Sequence, residues 1–183
     1  MVKPFTIGYL RSTIVGESIA RMLSYSGKKV IKDNHLGDWG VQFGKLLYAF
    51  KTWSSKKEIE ESENSYTAVV NLYLRFVNEE RLNTELTQLA AAEYQMLESR
   101  NTQSLELWQF LRDILSKGLD KIYKRLTIEF DILSWESLYA ESAHALVAQL
   151  IRNGTAVYSE GAAVVFFENL PPLILKKSDG TAL

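Results

Sequence analysis

The sequence contains no cysteine, two histidines and three prolines among its 183 residues. Without cysteine there can be no disulfide, no thiolate nucleophile and no zinc–sulfur site. His35 and His144 lie far apart in the sequence, so a multi-histidine metal site is not expected, and we predict no structural metal. The absence of cysteine therefore excludes disulfide, thiolate and zinc–sulfur chemistry together.

An excess of charge of one sign is also lacking. The chain carries 21 basic and 22 acidic side chains, for a net charge of −1. Such a balance gives no overall positive field for nucleic acid, although a local basic patch stays open. Apolar residues make up 46% and charged residues 23% of the chain, which is the composition of one ordinary folded domain.

Long hydrophobic runs are absent as well. The longest apolar run, Ala162–Phe167, is far too short to cross a membrane. The first residues, MVKPFTIGYLRSTIV, carry Pro4 and Arg11 and lack the unbroken apolar core of a signal peptide. We therefore predict a cytoplasmic protein with no membrane partner.

The most informative stretch is Lys3–Gly44, which the pattern divides into a loop, a helix, a strand and a second loop. Apolar residues at spacings of three to five predict a helix over Leu10–Ser26, stopped by Gly27. A short strand begins at Val30–Ile31, and His35–Gly44 is the second loop. In an α/β unit both loops lie at the same edge of the sheet, where ligands usually bind. The candidate site residues of the two loops are Lys3, Thr6, Gly8, Tyr9, Asn34, Asp38, Trp39 and Gln42.

From Val41 to Leu126 the pattern is helical almost throughout, with four apolar faces. The charged segment Ser54–Ser65 predicts a solvated linker or an exposed helix end. One set of apolar residues predicts the inner face of the helix before Glu98: Leu86, Leu89, Ala92 and Leu97.

After Arg125 the pattern changes to short strands around one helix. Thr127–Leu133 reads as a strand and Ala140–Ile151 as a helix. Strand-like segments at Ala156–Tyr158 and Ala162–Glu168 are expected to pair with Leu173–Lys177. Residues Ser178–Thr181 have the composition of a turn.

Two blocks of this sequence resemble the arginyl-tRNA synthetase family. KPFTIGYLRSTIVGE (Lys3–Glu17) follows the family's first loop, and NHLGDWGVQFG (Asn34–Gly44) matches its second block throughout. FDILSWESLY (Phe130–Tyr139) resembles a third block, and KKSDGT (Lys176–Thr181) a fourth. The chain thus resembles the N-terminal part of the catalytic domain of a class I aminoacyl-tRNA synthetase.

The resemblance implies an α/β fold, namely the first half of a Rossmann-like nucleotide-binding fold with a large, mostly helical insertion. Within this single structural domain, residues 1–44 are expected to form the first βα unit and the ligand-edge loops. Residues 45–126 are expected to form the insertion, and residues 127–183 the return to the fold. Compared with the family, such a domain is incomplete. We expect it to expose a sheet edge and apolar surface, and to be marginally stable, self-associating or covered by a second chain.

The same resemblance implies ATP with Mg²⁺, arginine and tRNA(Arg) as ligands, and the ATP-dependent ligation of arginine to tRNA as the family reaction. Thr6 and Tyr9 stand where the family has the two histidines of its HIGH signature, so adenylation by this chain is expected to be impaired. Lys3, Gly8 and Tyr9 occupy ATP-binding positions. Amino-acid-binding positions are occupied by Asp38, Gln42 and Glu136.

Structural interpretations stand beside these functional ones. Lys3 and Glu136 are also explained as solvated side chains, and Gly8 as a residue that a tight turn requires. Asp38 is explained equally well as a helix cap. Trp39 is explained as a core residue, and His35 as a hydrogen-bonding residue within its loop. The charged run Lys56–Glu63 is interpreted as a solvated face, with tRNA contact as the alternative.

Three functions stay open at this point. The first is a piece of an arginine–tRNA ligase that keeps some ligand binding. The second is a non-catalytic paralogue that acts as a binding or partner-interaction module. The third is the product of a decaying gene, which the two replaced histidines would also explain.

Overall fold

The computed structural model describes residues 1–177, so the turn predicted at Ser178–Thr181 lies outside the described residues. By its internal contacts the chain divides into one unit over Met1–Ser134 and a second from Trp135 onward. The division predicted from the sequence into 1–44, 45–126 and 127–183 stays a prediction. The described helices and strands are α1 (Ile7–Tyr25), β1 (Asp33–Leu36), α2 (Val41–Trp53), α3 (Lys56–Glu60), α4 (Ser65–Glu80), α5 (Glu85–Glu98), α6 (Thr102–Arg125), β2 (Ile132–Trp135), α7 (Ala140–Arg152), β3 (Val157–Ser159), β4 (Ala162–Val165) and β5 (Leu173–Lys176).

The core of the first unit lies among α2, α4, α5 and α6. Each of these helices turns one apolar face inward, as the 3.6-residue period predicts. The buried cluster contains Phe43, Leu46, Leu47, Phe50, Val69, Tyr73, Tyr94, Leu97, Trp108, Leu111 and Leu115, among others. The helical insertion predicted over 45–126 therefore has a well-packed interior of its own.

Two predictions about this bundle need correction. The inner face of α5 consists of Leu86, Ala90, Tyr94 and Leu97, whereas Leu89 is 43% exposed. The predicted linker Ser54–Ser65 contains α3, whose Ile59 is buried in the main core. Ile59 anchors this charged segment to the bundle, and Lys56 adds a contact over the Phe110 ring at 5.3 Å.

Helix α1 begins three residues earlier than predicted. Its N-cap is Thr6, so Gly8 and Tyr9 lie in the first helical turn and not in a loop. Its end agrees with the prediction: Gly27 has a φ of 81°, and Lys28 donates to the carbonyl of Leu23 at 3.0 Å. This is the Schellman arrangement, in which a glycine in the left-handed region stops a helix.

No side chain of α1 is buried within the described residues. Its apolar members Ile7, Ile14, Val15, Ile19, Met22, Leu23 and Tyr25 are all at least 44% exposed. Polar contacts help to hold the helix in place. Glu17 binds Arg21 at 2.7 Å and Lys32 at 3.3 Å, and Arg21 donates to the carbonyl of Thr127 at 3.0 Å.

The strands β1 and β2 form a two-stranded sheet. Both begin later than predicted from Val30–Ile31 and Thr127–Leu133. Thr127 has a φ of 56°, because it occupies the position after α6 that a glycine usually takes. His35 and Leu36, predicted to lie in a loop, belong to β1.

The second unit contains α7 and a three-stranded antiparallel sheet in the order β3-β4-β5. Helix α7 (Ala140–Arg152) agrees with its predicted range to within one residue. Val157 pairs with Val164, and Val165 with Leu173. The predicted pairing of Leu173–Lys177 is therefore confirmed for β4, whereas β3 pairs with β4 and not with β5.

Candidate functional site

The first-loop residues cluster at the N-terminus of α1. Lys3 is exposed ahead of the helix. Thr6 has an extended backbone, and its side chain makes no capping hydrogen bond. The first turn contains no acidic residue, so its N–H groups and the positive end of the helix dipole favour an anion.

Gly8 does not serve a tight turn. It lies inside the helix without a positive φ, and an added Cβ would meet Thr6 Oγ1 at an ordinary 3.7 Å. The interpretation of Gly8 as a turn residue is therefore wrong. The fold itself does not require glycine at this position. Because glycine has no side chain, the space beside the first helical turn stays open.

The second loop is anchored by Asp38. This carboxylate is fully buried, and its Oδ2 lies 3.4 Å from Nε of Arg112 on α6. Trp108, also on α6, donates its indole N–H to the Asp38 carbonyl at 2.7 Å. The cap of α2 is Gly40, with a φ of 94°, so the interpretation of Asp38 as a helix cap is wrong.

Sequence reasoning missed Arg112 as the partner of Asp38. A signal was present, because Arg112 directly follows Leu111 and lies one turn after Trp108 on a buried helix face. A charged residue at the border of an apolar face often has a buried partner. The Arg112 guanidinium also lies 4.9 Å from the centroid of the Trp108 ring.

Trp39 packs against the core of the bundle. Its ring meets Trp108 edge-on at 5.5 Å and Tyr94 at 6.1 Å between centroids. Arg100, whose φ is 61°, lies over the Trp39 ring at 5.7 Å. The structural interpretation of Trp39 therefore agrees with its position.

Gln42 lies in the first turn of α2 and accepts a hydrogen bond from the hydroxyl of Tyr73 on α4. The pKa of Tyr73 is raised, mainly by burial, then by the charge of Glu80 and by the nearby Tyr9 hydroxyl. Glu80 is itself held by Lys45 at 2.5 Å. The start of the chain lies against the same loop, because the Met1 amino group donates to the carbonyl of Gly37 at 3.2 Å.

His35 makes a different contact from the one predicted. Its Nδ1 lies 3.1 Å from Oγ of Ser134 on β2, and Ser134 donates to Asp33 Oδ1 at 2.8 Å. The hydrogen bond therefore joins two strands and does not stay within the loop. These contacts tie β1 to β2 at the base of the second loop.

Glu136 belongs to the second unit. It is the exposed first residue of a short 3-10 helix, Glu136–Tyr139. Its carboxylate is accessible and has no hydrogen bond or ion pair within residues 1–177. An exposed, uncommitted carboxylate retains the chemistry needed to bind a guanidinium.

A metal site of three or more acidic or histidine side chains is absent from residues 1–177. Within the same part of the chain, no helix has both the length and the apolar character that a membrane span requires.

The whole chain, residues 1–183, matches the family described as tRNA synthetases class I (R), catalytic domain. It is 37% identical to the arginine–tRNA ligase of Clostridium botulinum (strain Loch Maree / Type A3) and 39% identical to that of Latilactobacillus sakei. Each alignment covers all of this chain and 32% of the relative. The chain therefore spans about a third of the length of these curated relatives.

Solved structures show the same relationship. The arginyl-tRNA synthetase of Plasmodium falciparum superposes with a TM-score of 0.76 and 26% identity, over all of this chain and 30% of that one. A protein described as a putative arginyl-tRNA synthetase from Campylobacter jejuni, with a TM-score of 0.54 and 16% identity, shows the fold alone. The chain belongs to the family of class I arginyl-tRNA synthetase catalytic domains. The family reaction is the ligation of arginine to tRNA, and the predicted helix-rich class I fold is confirmed.

Proposed function

We propose that this chain provides the nucleotide end and part of the amino-acid site of an arginine–tRNA ligase, with a weakened capacity for adenylate formation. ATP with its Mg²⁺, arginine and tRNA(Arg) are the substrates of the whole ligase, which we assign to the cytoplasm. The observation that carries the proposal is the N-terminus of α1. It lacks a side-chain cap and acidic residues, and Gly8 leaves its first turn open.

In this proposal the phosphates of ATP bind against the first turn of α1. Its free N–H groups donate to phosphate oxygens, and Lys3 supplies a positive charge from the exposed segment before the helix. Tyr9, which is 47% exposed, adds a hydroxyl donor. Mg²⁺ arrives with the nucleotide and is held by its phosphates.

For the amino-acid end of the proposed site, the first unit offers Gln42, while Asp38 shapes the loop between β1 and α2. Glu136, in the second unit, is a separate candidate for binding arginine. Glu136 provides a carboxylate for the guanidinium of arginine. Asp38 is buried against Arg112, so its contribution is to fix the loop that precedes Gln42.

Weakened catalysis follows from Thr6 and Tyr9. Neither side chain can carry the positive charge of an imidazolium where negative charge develops on the phosphates. Loss of one donor aimed at such charge typically lowers a rate by about 10²–10³. We expect arginine-dependent ATP–pyrophosphate exchange by this chain to be at least about 100-fold slower than by the Clostridium botulinum relative measured in parallel.

The substitution Gly8→Ala tests the nucleotide site. Alanine is the better helix former, so we expect the free energy of unfolding to rise by up to about 1 kcal/mol. The added methyl group occupies the space of the phosphates, so the affinity for Mg²⁺·ATP measured by calorimetry should fall. Gly16→Ala, in the same helix with nothing within 4 Å of its Cβ, is the control that should leave affinity unchanged. The proposal fails if the unchanged chain releases no heat with millimolar Mg²⁺·ATP.

A second function, that of a binding module without catalysis, is favoured by the same replacement of both histidines. Restoring them with Thr6→His and Tyr9→His separates the two functions. If nucleotide affinity rises and pyrophosphate exchange appears, the scaffold is that of a ligase. Retained ligand binding without any exchange supports the binding module.

A further inference from the structure

The side chain of Tyr73 joins the helical insertion to the second loop. Tyr73 lies on α4, is 5% exposed and belongs to the main buried cluster. Its hydroxyl donates to Oε1 of Gln42, in the first turn of α2. Because the ring is fixed by packing, the hydroxyl has a fixed position, and it fixes the carbonyl end of the Gln42 amide.

The other end of the Gln42 amide is a pair of N–H donors. This Nε2 group makes no hydrogen bond within residues 1–177, and the Gln42 side chain is only partly buried. Because the oxygen of this carboxamide already accepts from Tyr73, the part of the group that is left without any partner is its pair of N–H donors. Gln42 therefore presents an oriented donor group, and it suits a ligand group that accepts hydrogen bonds.

Donor chemistry decides which end of arginine suits this group. A guanidinium carries only donors, so it cannot bind to the Nε2 of Gln42. The carboxylate of arginine carries only acceptors and suits two N–H donors. The start of the chain lies against the same part of the structure, because Met1 donates to the carbonyl of Gly37 at 3.2 Å and Val2 belongs to the buried cluster that contains Tyr73. Helix α1 begins at Ile7, only a few residues later, and adenylation at its N-terminus would activate that carboxylate.

We propose that Tyr73 is a positioning residue that holds the Gln42 carboxamide with its N–H groups directed at the carboxylate of the amino-acid substrate. This assignment rests on the proposed function, since it identifies the part of arginine that Gln42 binds. It gives the helical insertion a role in the amino-acid site, because the insertion supplies the hydroxyl that orients Gln42.

The same helix offers a matched control. Tyr66 lies seven residues before Tyr73 on α4, and its hydroxyl is buried without a hydrogen-bond partner within the described residues. Tyr66→Phe and Tyr73→Phe each remove one hydroxyl and keep the ring. Only Tyr73→Phe removes a contact to Gln42.

The test measures binding of L-arginine, and of agmatine, which lacks the carboxylate, to the full 183-residue chain. Tyr73→Phe should weaken L-arginine binding about three- to tenfold, because Gln42 loses its orientation but keeps its donors. Agmatine binding should not change. Tyr66→Phe should alter neither affinity. An equal loss for arginine and agmatine would overturn the assignment of the carboxylate.

A second measurement judges the positioning role without any ligand. The side-chain amide signals of Gln42 in a ¹H–¹⁵N spectrum should move toward those of a freely rotating carboxamide in Tyr73→Phe and stay in place in Tyr66→Phe. Unchanged Gln42 signals in Tyr73→Phe would overturn the positioning role. If the unchanged chain binds no arginine, the proposed function and the carboxylate assignment fail together, and the amide spectrum still decides whether Tyr73 orients Gln42.

Discussion

At the scale of single residues, two glycines are required because a larger side chain would not fit between packed helices. Gly44 and Gly118 are both helical glycines at contacts between helices. A Cβ at Gly44 would overlap the carbonyl oxygen of Ala90 and lie 2.8 Å from Cβ of Tyr94. A Cβ at Gly118 would overlap the ring of Tyr66. These two positions set how closely α2 approaches α5 and how closely α6 approaches α4.

Gly44→Ala should destabilise the protein because backbone atoms on α5 cannot move aside as a flexible side chain would. We expect a loss of about 1–3 kcal/mol in the free energy of unfolding, measured by urea denaturation. Gly16→Ala is the matched change in a helix with free space and should cause no loss. Equal effects of the two substitutions would mean that the approach of α2 to α5 is looser than described.

At the scale of elements, α1 differs from the other helices of its unit. It is held by Glu17, Arg21 and Lys32, and by the aromatic contact of Phe5 with Tyr9 and Tyr123 at about 6 Å between centroids. The pKa of Glu17 is lowered below its ordinary 4.5, first by the hydrogen bond from Arg21 and also by Lys32, against the opposing effect of burial. The folded state therefore favours the charged carboxylate.

The contribution of Glu17 to the free energy of unfolding should decrease as the pH falls. Because the folded state lowers the pKa of Glu17, its stabilising contribution is present above the ordinary carboxyl pKa and is lost as the pH falls through the folded value. The difference in unfolding free energy between the unchanged chain and Glu17→Gln should thus be largest near neutral pH and shrink in acid. Denaturant titrations at several pH values measure it, and a difference independent of pH would contradict this account.

At the scale of the whole chain, the exposed apolar side chains of α1 are the feature that bears on association. Ile19 is 48% and Met22 63% exposed on one helix of the first unit. Large apolar side chains that are exposed together on one helix favour an interface. We propose that a second polypeptide covers them, which in a purified sample means a second copy of this chain.

Self-association should therefore rise with concentration in sedimentation velocity runs. The double substitution Ile19→Lys and Met22→Lys should reduce it, because two charges cannot be buried at an apolar contact without a partner. A double substitution of the exposed Lys28 and Lys29 to glutamine is the control away from the apolar stripe and should leave association unchanged. A monomer at every concentration would contradict the proposal.

Local pattern predicted much of what the structure shows. Helices α2, α4 and α6 follow from their apolar period, and Gly27 ends α1 because glycine tolerates the left-handed conformation. Asn34–Gly44 and Lys3–Glu17 indicated the family from residue identity alone. The position of β5 followed from its apolar run and the prolines before it.

Only the tertiary structure decided the pairing of Asp38 with Arg112, the hydrogen bond from Tyr73 to Gln42 and the exposure of α1. The first two depend on residues that are far apart in the sequence. The third depends on which surfaces are in contact, and the apolar period of a helix does not predict that. An apolar stripe predicts which side of a helix avoids water, but not whether a neighbour lies against it. The sequence by itself thus determined the family and the helical bundle, because these rest on local identity and period. The tertiary structure decided how Gln42 is oriented, since a hydrogen bond between two helices exists only after both have packed.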